Sequence, residues 1–246
     1  TSKTLPGRLD HTLAKTLKNC GYETTVIHPI SRSYFNARNW YKSVGFDQVI
    51  SSEDLGHEPT RFWSTPDKVF FEAARGIAEQ VDQATGKPQF IYVLTIAQHG
   101  PHDTKVDPKE EYLRRLKISA EAYMDLMQTL VPKSSGARPW IAAWFGDHRP
   151  HLIEDKDQSK RFITWFNRRS LPATGTQVQL YSSPLDISFL NSIILERAGI
   201  RNEMTDTHVQ KMIRSCTDNY LNCPKDMIQV HHDLLRTSGA FAPTGP

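Results

Sequence analysis

The spacing of apolar positions changes several times along the chain, and each change marks an element. Leu9, Leu13, Leu17 and Cys20 recur at helical spacing until Gly21 stops them. Tyr22 to His28 then reads as a strand that ends at His28-Pro29. From Ser31 to Tyr41 aromatic and polar residues mix, which predicts a loop entering a short helix near Asn36, closed by Gly45-Phe46-Asp47. Ser51 to Thr65 carries no period and reads as an irregular surface excursion. Thr65-Pro66-Asp67 opens an amphipathic helix with Val69, Phe70, Ala73, Ile77 and Val81 as its inward stripe, and Gly86-Lys87-Pro88 ends it. Phe90 to Ala97 is the strongest strand, and its unbroken apolar character predicts a parallel strand covered on both faces. Tyr112 to Val131 is a second long helix, with Leu116, Ala120, Tyr123, Met127 and Leu130 on one stripe. Trp140 to Phe145 is a buried strand that ends in Gly146 and turns sharply polar at Asp147 and His148. Phe162 to Phe166 reads as a strand followed by an Arg-rich turn, and Val178 to Tyr181 as a shorter one. Ser183-Pro184-Leu185-Asp186 then opens a helix that stops at Gly199. Farther on the chain is polar apart from a helix around Val209 to Ile213, and Thr237 to Pro246 is expected to fray. Strands alternating with helices argue for an α/β fold, a three-layer α/β/α sandwich around a mostly parallel sheet. The expected organisation is one domain over residues 1–246, with 201–246 as a polar C-terminal extension.

Composition narrows this picture little. With 246 residues, 38% hydrophobic and 23% charged, the chain can bury a full core as one larger domain. The net charge of +3 is dispersed among acidic residues, so nucleic acid is not an expected partner. No apolar run approaches the ~20 residues of a membrane span, and the N-terminus lacks the pattern of a signal peptide. Of the three cysteines, Cys216 and Cys223 bracket a short polar segment; a disulfide and two buried thiols both fit that spacing.

The chemistry collects at strand ends. His28, His99 and the pair Asp147 with His148 each follow an apolar run, and parallel strands line up their C-terminal ends along one edge, so these residues are expected to share a crevice. Asp supplies a hard oxygen and His a borderline nitrogen, so Asp147 and His148 form half of a divalent-metal site. Arg38, in the aromatic loop after His28, presents a planar fork suited to a phosphate or sulfate. His102 and His151 lie close enough to the same edge to support it. There is no Gly-x-Ser-x-Gly elbow, Gly-rich phosphate loop, Cys-x-x-Cys or His-Glu-x-x-His. A metal-assisted phosphate or sulfate site fits this set best.

The order of motifs resembles one family. Gly21-Tyr22-Glu23-Thr24 leading to His28, the segment Ser33 to Asp47 with its Asn36-Ala37-Arg38, and Thr95-Ile96-Ala97-Gln98-His99-Gly100-Pro101 are similar to segments of lipoteichoic acid synthases and related sulfatase-like enzymes of the alkaline phosphatase superfamily. Tyr123 and Asp125 in the following helix, Phe145-Gly146-Asp147-His148, and Ser183 to Ile187 through Ala198-Gly199-Ile200 continue the resemblance in the same order. It implies an alkaline phosphatase-like fold and an extracytoplasmic catalytic domain of a membrane-anchored protein. The implied reaction moves a phosphoglycerol or phosphoethanolamine head group from a phospholipid donor to a glycan or lipid acceptor through a phospho-threonine. The resemblance makes Asp147 and His148 ligands of a divalent metal (Mn, Mg or Zn). It makes His28, Arg38 and His99 the phosphate-binding residues, and His99 the catalytic proton shuttle.

Nothing before Leu9 resembles the family's nucleophilic threonine or its first acidic ligand, so the chain is expected to be the C-terminal part of a catalytic domain, with little turnover alone. Ala37 is an extra residue before the arginine. Arg149-Pro150 after His148 favours the phosphoglycerol branch over the phosphoethanolamine one. The alternatives are a sulfatase or phosphodiester hydrolase of the same superfamily, or a non-catalytic paralogue that keeps the fold.

Overall fold

In the computed structural model the described residues are 9, 12–57, 65–84, 86–100, 105–130, 140–147, 163–171, 179–200, 212, 215–216 and 220–237. The chain divides into two compact units, the first running to Thr129 and the second from Leu130 to Ser238.

In the first unit, Thr12 caps helix α1 (Leu13–Asn19) by accepting from the Lys15 amide at 3.2 Å, and Ala14 and Leu17 turn inward. Strand β1 (Glu23–His28) follows, then a single 3-10 turn at Tyr34–Asn36 and helix α2 (Ala37–Ser43). Strand β2 (Gln48–Ser51) was not expected. Its four residues are too few to show a period, and Val49 and Ile50 are its only apolar ones. It nevertheless pairs with β1 in parallel, Val26 opposite Val49 and His28 opposite Ser51.

Helix α3 (Asp67–Ala84) and strand β3 (Gln89–Val93) come next, and β3 pairs in parallel with the other side of β1. The sheet order is therefore β2-β1-β3, and β1 is its buried centre. Beneath it Ala14, Val26, Val44, Phe46 and Val49 form a core, with the Phe46 ring stacked 5.7 Å from Phe90 and 6.2 Å from Tyr92. The chain leaves the ladder earlier than its apolar run predicts, since Leu94 donates a last bond to the Ile27 carbonyl at 2.9 Å and residues 94–99 are not strand.

Helix α4 (Pro108–Leu130) completes the unit. Both long helices sit rotated from the expected stripes. Asp67, Phe70, Phe71, Ala74 and Ala78 are the buried line of α3, and Glu111, Ser119, Ala122, Tyr123, Leu126 and Met127 that of α4. Phe71 and Tyr123 meet at 6.1 Å, edge to face. In both helices polar groups take places in the buried line that an apolar stripe would not assign to them.

In the second unit, β4 (Trp140–Phe145), β5 (Ile163–Leu171) and β6 (Gln179–Asp186) form an antiparallel sheet in that order. Two expectations change here. The supposed Arg-rich turn at Asn167-Arg168-Arg169 lies inside β5, and Ser183 to Asp186 closes β6 rather than opening a helix. Pro184 stands opposite Trp165 on an outer strand of this sheet, where a residue without an amide proton is tolerated.

Asp186 then starts a 3-10 turn (Ile187–Phe189) by accepting from the Ser188 amide at 3.0 Å, and α5 (Leu190–Arg197) follows. Helix α6 (Lys225–Thr237) was not expected. Of the helix expected around Val209 to Ile213 only Met212 is described, and it is helical and fully buried. Met212, Cys216 and Cys223 pack with Phe189 and Leu190 as the core, so the segment expected as a polar extension supplies core residues. Cys216 and Cys223 form a disulfide, which settles that open pair. The fraying expected of residues 238–246 lies outside the described residues. Among the described residues, no helix is long and apolar enough to cross a membrane.

Candidate functional site

His28 is the last residue of the central strand and is fully buried. Among the described residues neither of its ring nitrogens has a hydrogen-bond partner. Native interiors pair nearly all such atoms, so an unsatisfied buried imidazole marks a group made for something else. Burial lowers its pKa to about 4 despite the nearby carboxylates of Asp54 and Glu53, so the ring is neutral at physiological pH. The Tyr41 ring lies 5.6 Å away and shields one side of it.

The two carboxylates belong to the turn after β2. Asp54 accepts from the Ser51 amide at 2.9 Å and the Ser51 hydroxyl at 2.7 Å, and these bonds depress its pKa. Glu53 accepts from Ser31 at 2.7 Å and from Arg32 Nε at 2.8 Å, with the same effect. Arg32 also pairs with Asp54 at 3.1 Å, so its charge is compensated within the loop.

Arg38 is different. It is exposed, its guanidinium makes no hydrogen bond among the described residues, and Asp54 feels its field. It is launched from the first turn of α2, directly after two successive non-glycine residues in the left-handed region, Phe35 at φ 49° and Asn36 at φ 58°. Such a pair costs a few kcal/mol of backbone strain, and such strain collects at ligand clamps. The Phe35 ring is 59% exposed, and with Arg32, Asn36, Arg38 and Asn39 it lines an open cavity of about 630 Å³.

His99 lies beyond the end of β3, which neighbours β1, and it is exposed. Its Nδ1 lies 2.7 Å from the Gly100 carbonyl. As donor there, Nδ1 carries the proton of the neutral ring, which makes Nε2 the basic nitrogen. His28, Arg38 and His99 all belong to the first unit: His28 ends β1, Arg38 stands in the first turn of α2 that follows it, and His99 lies in the segment after β3. Asp147 lies in the second unit, exposed immediately after β4. His148, His102 and His151 lie outside the described residues. Among the described residues no three His, Cys, Asp or Glu side chains converge as a metal-binding group, and Asp147 is the single expected ligand in view.

The sequence reading missed a set of residues that holds the backbone before His99. Asp67 of α3 and Glu111, Arg115 and Ser119 of α4 grip residues 96–99 from two sides. The only signal was the spacing of Glu111, Arg115 and Ser119, four residues apart on one helical face that continues into Ala122 and Leu126.

The sulfatase family profile matches residues 2–186. The chain belongs to the sulfatase family. Its fold is alkaline phosphatase-like, as the motif order implied. It superposes on the Streptococcus pyogenes phosphoglycerol transferase GacH, solved with sn-glycerol-1-phosphate, with a TM-score of 0.69 at 14% identity over 97% of this chain and 65% of that one. It superposes on the Listeria monocytogenes lipoteichoic acid synthase LtaP with a TM-score of 0.52 at 20% identity over 64% of this chain and 40% of that one. The capsular polysaccharide biosynthesis protein RkpI of Rhizobium meliloti is 29% identical over 145 residues, 55% of this chain and 26% of RkpI. The chain spans 39% or less of the length of the first two curated relatives it matches. This sulfatase-family membership makes an enzyme of this superfamily the frame for the site.

Proposed function

We propose that this sulfatase-family chain handles the phosphodiester in a transferase that moves a phosphoglycerol or phosphoethanolamine head group from a phospholipid to a cell-envelope glycan or lipid. The observation that carries this reading is the buried His28 at the end of β1, its ring nitrogens without a hydrogen-bond partner among the described residues, followed by the exposed Arg38 in the first turn of α2. A neutral imidazole beside a guanidinium suits a singly charged phosphodiester, donating one N–H to a phosphate oxygen without adding a second fixed charge. Arg38 holds two oxygens in its fork, and charge growing on the phosphorus oxygens strengthens both contacts. His99 takes or returns the proton of the alcohol at Nε2, its orientation set by the Nδ1 contact to Gly100.

A divalent cation (Mn, Mg or Zn) held by Asp147 and His148 would supply Lewis-acid polarisation. Of that pair Asp147 alone lies among the described residues. GacH and LtaP as fold neighbours and RkpI as a relative support a phosphoglycerol donor and an envelope glycan acceptor. The Cys216–Cys223 disulfide supports an extracytoplasmic site, because such bonds persist in oxidising compartments.

The test uses the full-length parent protein with vesicles containing phosphatidylglycerol or phosphatidylethanolamine, Mn, Mg or Zn, and a glycan acceptor. Head-group release is expected, falling about 100-fold in Arg38→Ala and not restored by Arg38→Lys, which lacks the planar fork. Hydrolysis of an aryl sulfate with no head-group release would replace this reading by the sulfatase one.

A further inference from the structure

Beyond Leu94 the chain has no ladder to hold it, yet residues 96–99 are bonded on both their donor and acceptor sides. Asp67 Oδ1 accepts from the amides of Ile96 and Ala97 at 2.9 and 3.1 Å. Arg115 Nη1 donates to the carbonyls of Ala97 and His99 at 3.2 and 3.3 Å, while Glu111 holds its Nε at 2.7 Å. The Gln98 side chain donates to Ser119 Oγ at 2.6 Å and to Asp67 Oδ2 at 3.4 Å, and Ser119 Oγ in turn donates to Asp67 Oδ2.

Asp67 and Ser119 are 3% and 2% exposed. An aspartate at the first position of a helix ordinarily serves that helix's own amides. Here all the hydrogen bonds seen for its carboxylate go to other elements, to the backbone of Ile96 and Ala97, to the Gln98 side chain and to Ser119 of α4. Burying a carboxylate away from water is costly unless it is fully bonded, so the loop is held far more firmly than closing a turn requires.

We propose that Asp67 is a positioning residue for His99. Through the amides of Ile96 and Ala97 it fixes the backbone that carries the imidazole, and Ser119 and Arg115 keep the brace in register. The inference rests on the reading of His99 as the proton-transfer group and makes Asp67 necessary to its placement. A misplacement of about 1 Å at a reacting group costs on the order of 100-fold in rate.

In the full-length protein, Asp67→Asn keeps one carbonyl oxygen but turns an amide NH₂ toward the Ser119 and Gln98 donors or toward the backbone amides. It is expected to lower kcat about 10- to 100-fold while KM changes less than about threefold. In a His99→Ala background the same substitution is expected to have no further effect on kcat, because both changes act on one group. Amide hydrogen exchange at Ile96 and Ala97 is expected to accelerate at least about tenfold in Asp67→Asn, with exchange at Val26 and Ile27 of β1 unchanged. Ser119→Ala, which leaves the two backbone bonds in place, gives a smaller effect of the same kind and serves if Asp67→Asn does not fold. Multiplicative loss in the double variant, or unchanged protection at Ile96 and Ala97, would overturn the inference. If the wild-type protein transfers no head group, the functional reading fails by itself, and the exchange measurement still decides whether Asp67 holds the loop.

Discussion

Lowering the pH from 7 to 5 is expected to weaken the first unit by about 2 kcal/mol through His28 alone. The ring titrates at 6.5 when exposed and is held to about 4 when folded, because burial excludes the charged form. The folded state therefore resists a proton that the unfolded chain accepts. Stability is whole above 6.5, declines as the pH falls through the interval, and levels off below about 4, where both states are protonated. The whole interval corresponds to about 3 kcal/mol, and the step from pH 7 to pH 5 to about 2 kcal/mol of it. For a chain of this size that is about 4–8 °C in Tm.

Glu111, held to about 2 by Arg114 and Arg115, acts in a lower window, from 4.5 downward, and leaves the upper interval to His28. The assay is urea unfolding at pH 7, 6 and 5 for the wild type and His28→Asn, with the His28 ring followed by NMR in the folded protein. The variant is expected to lose less stability on acidification, by about 2 kcal/mol, whatever its stability at pH 7. A ring titrating near 6.5, or parallel slopes for the two proteins, would refute the reasoning.

Gly45→Ala is expected to destabilise by about 3 kcal/mol or more in chemical denaturation, since φ is +111° and the new Cβ would stand 2.7 Å from the Lys15 amide nitrogen. Gly21→Ala, at φ +85° with open space around it, is expected to cost only about 1–2 kcal/mol, the left-handed backbone term alone. Replacing Cys216 and Cys223 by serine opens a loop seven residues in span and is expected to cost about 2.5 kcal/mol, read as a lower unfolding midpoint that reductant reproduces in the wild type.

The elements that announced themselves in the sequence were those with long apolar content: β1, α3, α4, β4 and the first half of the Phe90 run. Those that did not were built from pairing. β2 exists because Val49 and Ile50 complete a sheet already nucleated by β1, which four residues cannot declare by themselves. β5 and β6 run on through Asn167-Arg168-Arg169 and Ser182-Ser183-Pro184, residues whose polarity reads as a break until an antiparallel neighbour satisfies their backbone. At the site, His28, Arg38 and His99 were visible as ionisable groups following apolar runs. The Asp67 brace was not, because its parts come from two helices and a strand end that only the fold brings together. The disulfide was legible as a possibility, and the depth at which both cysteines sit was not.

The sulfatase match stops at residue 186, and there the Asp186 carboxylate, 3% exposed, accepts the Tyr220 amide at 3.0 Å from a stretch beyond that match. Met212, Cys216 and Cys223 close over Phe189 and Leu190 just past that limit. A shortened protein cut at residue 186 would keep every matched residue but lose this whole cluster, leaving Ala143 and Phe145 of β4, which pack against it, bare. Trimming at that border would therefore yield a sticky product, and a soluble expression fragment has to carry the segment beyond it as far as α6.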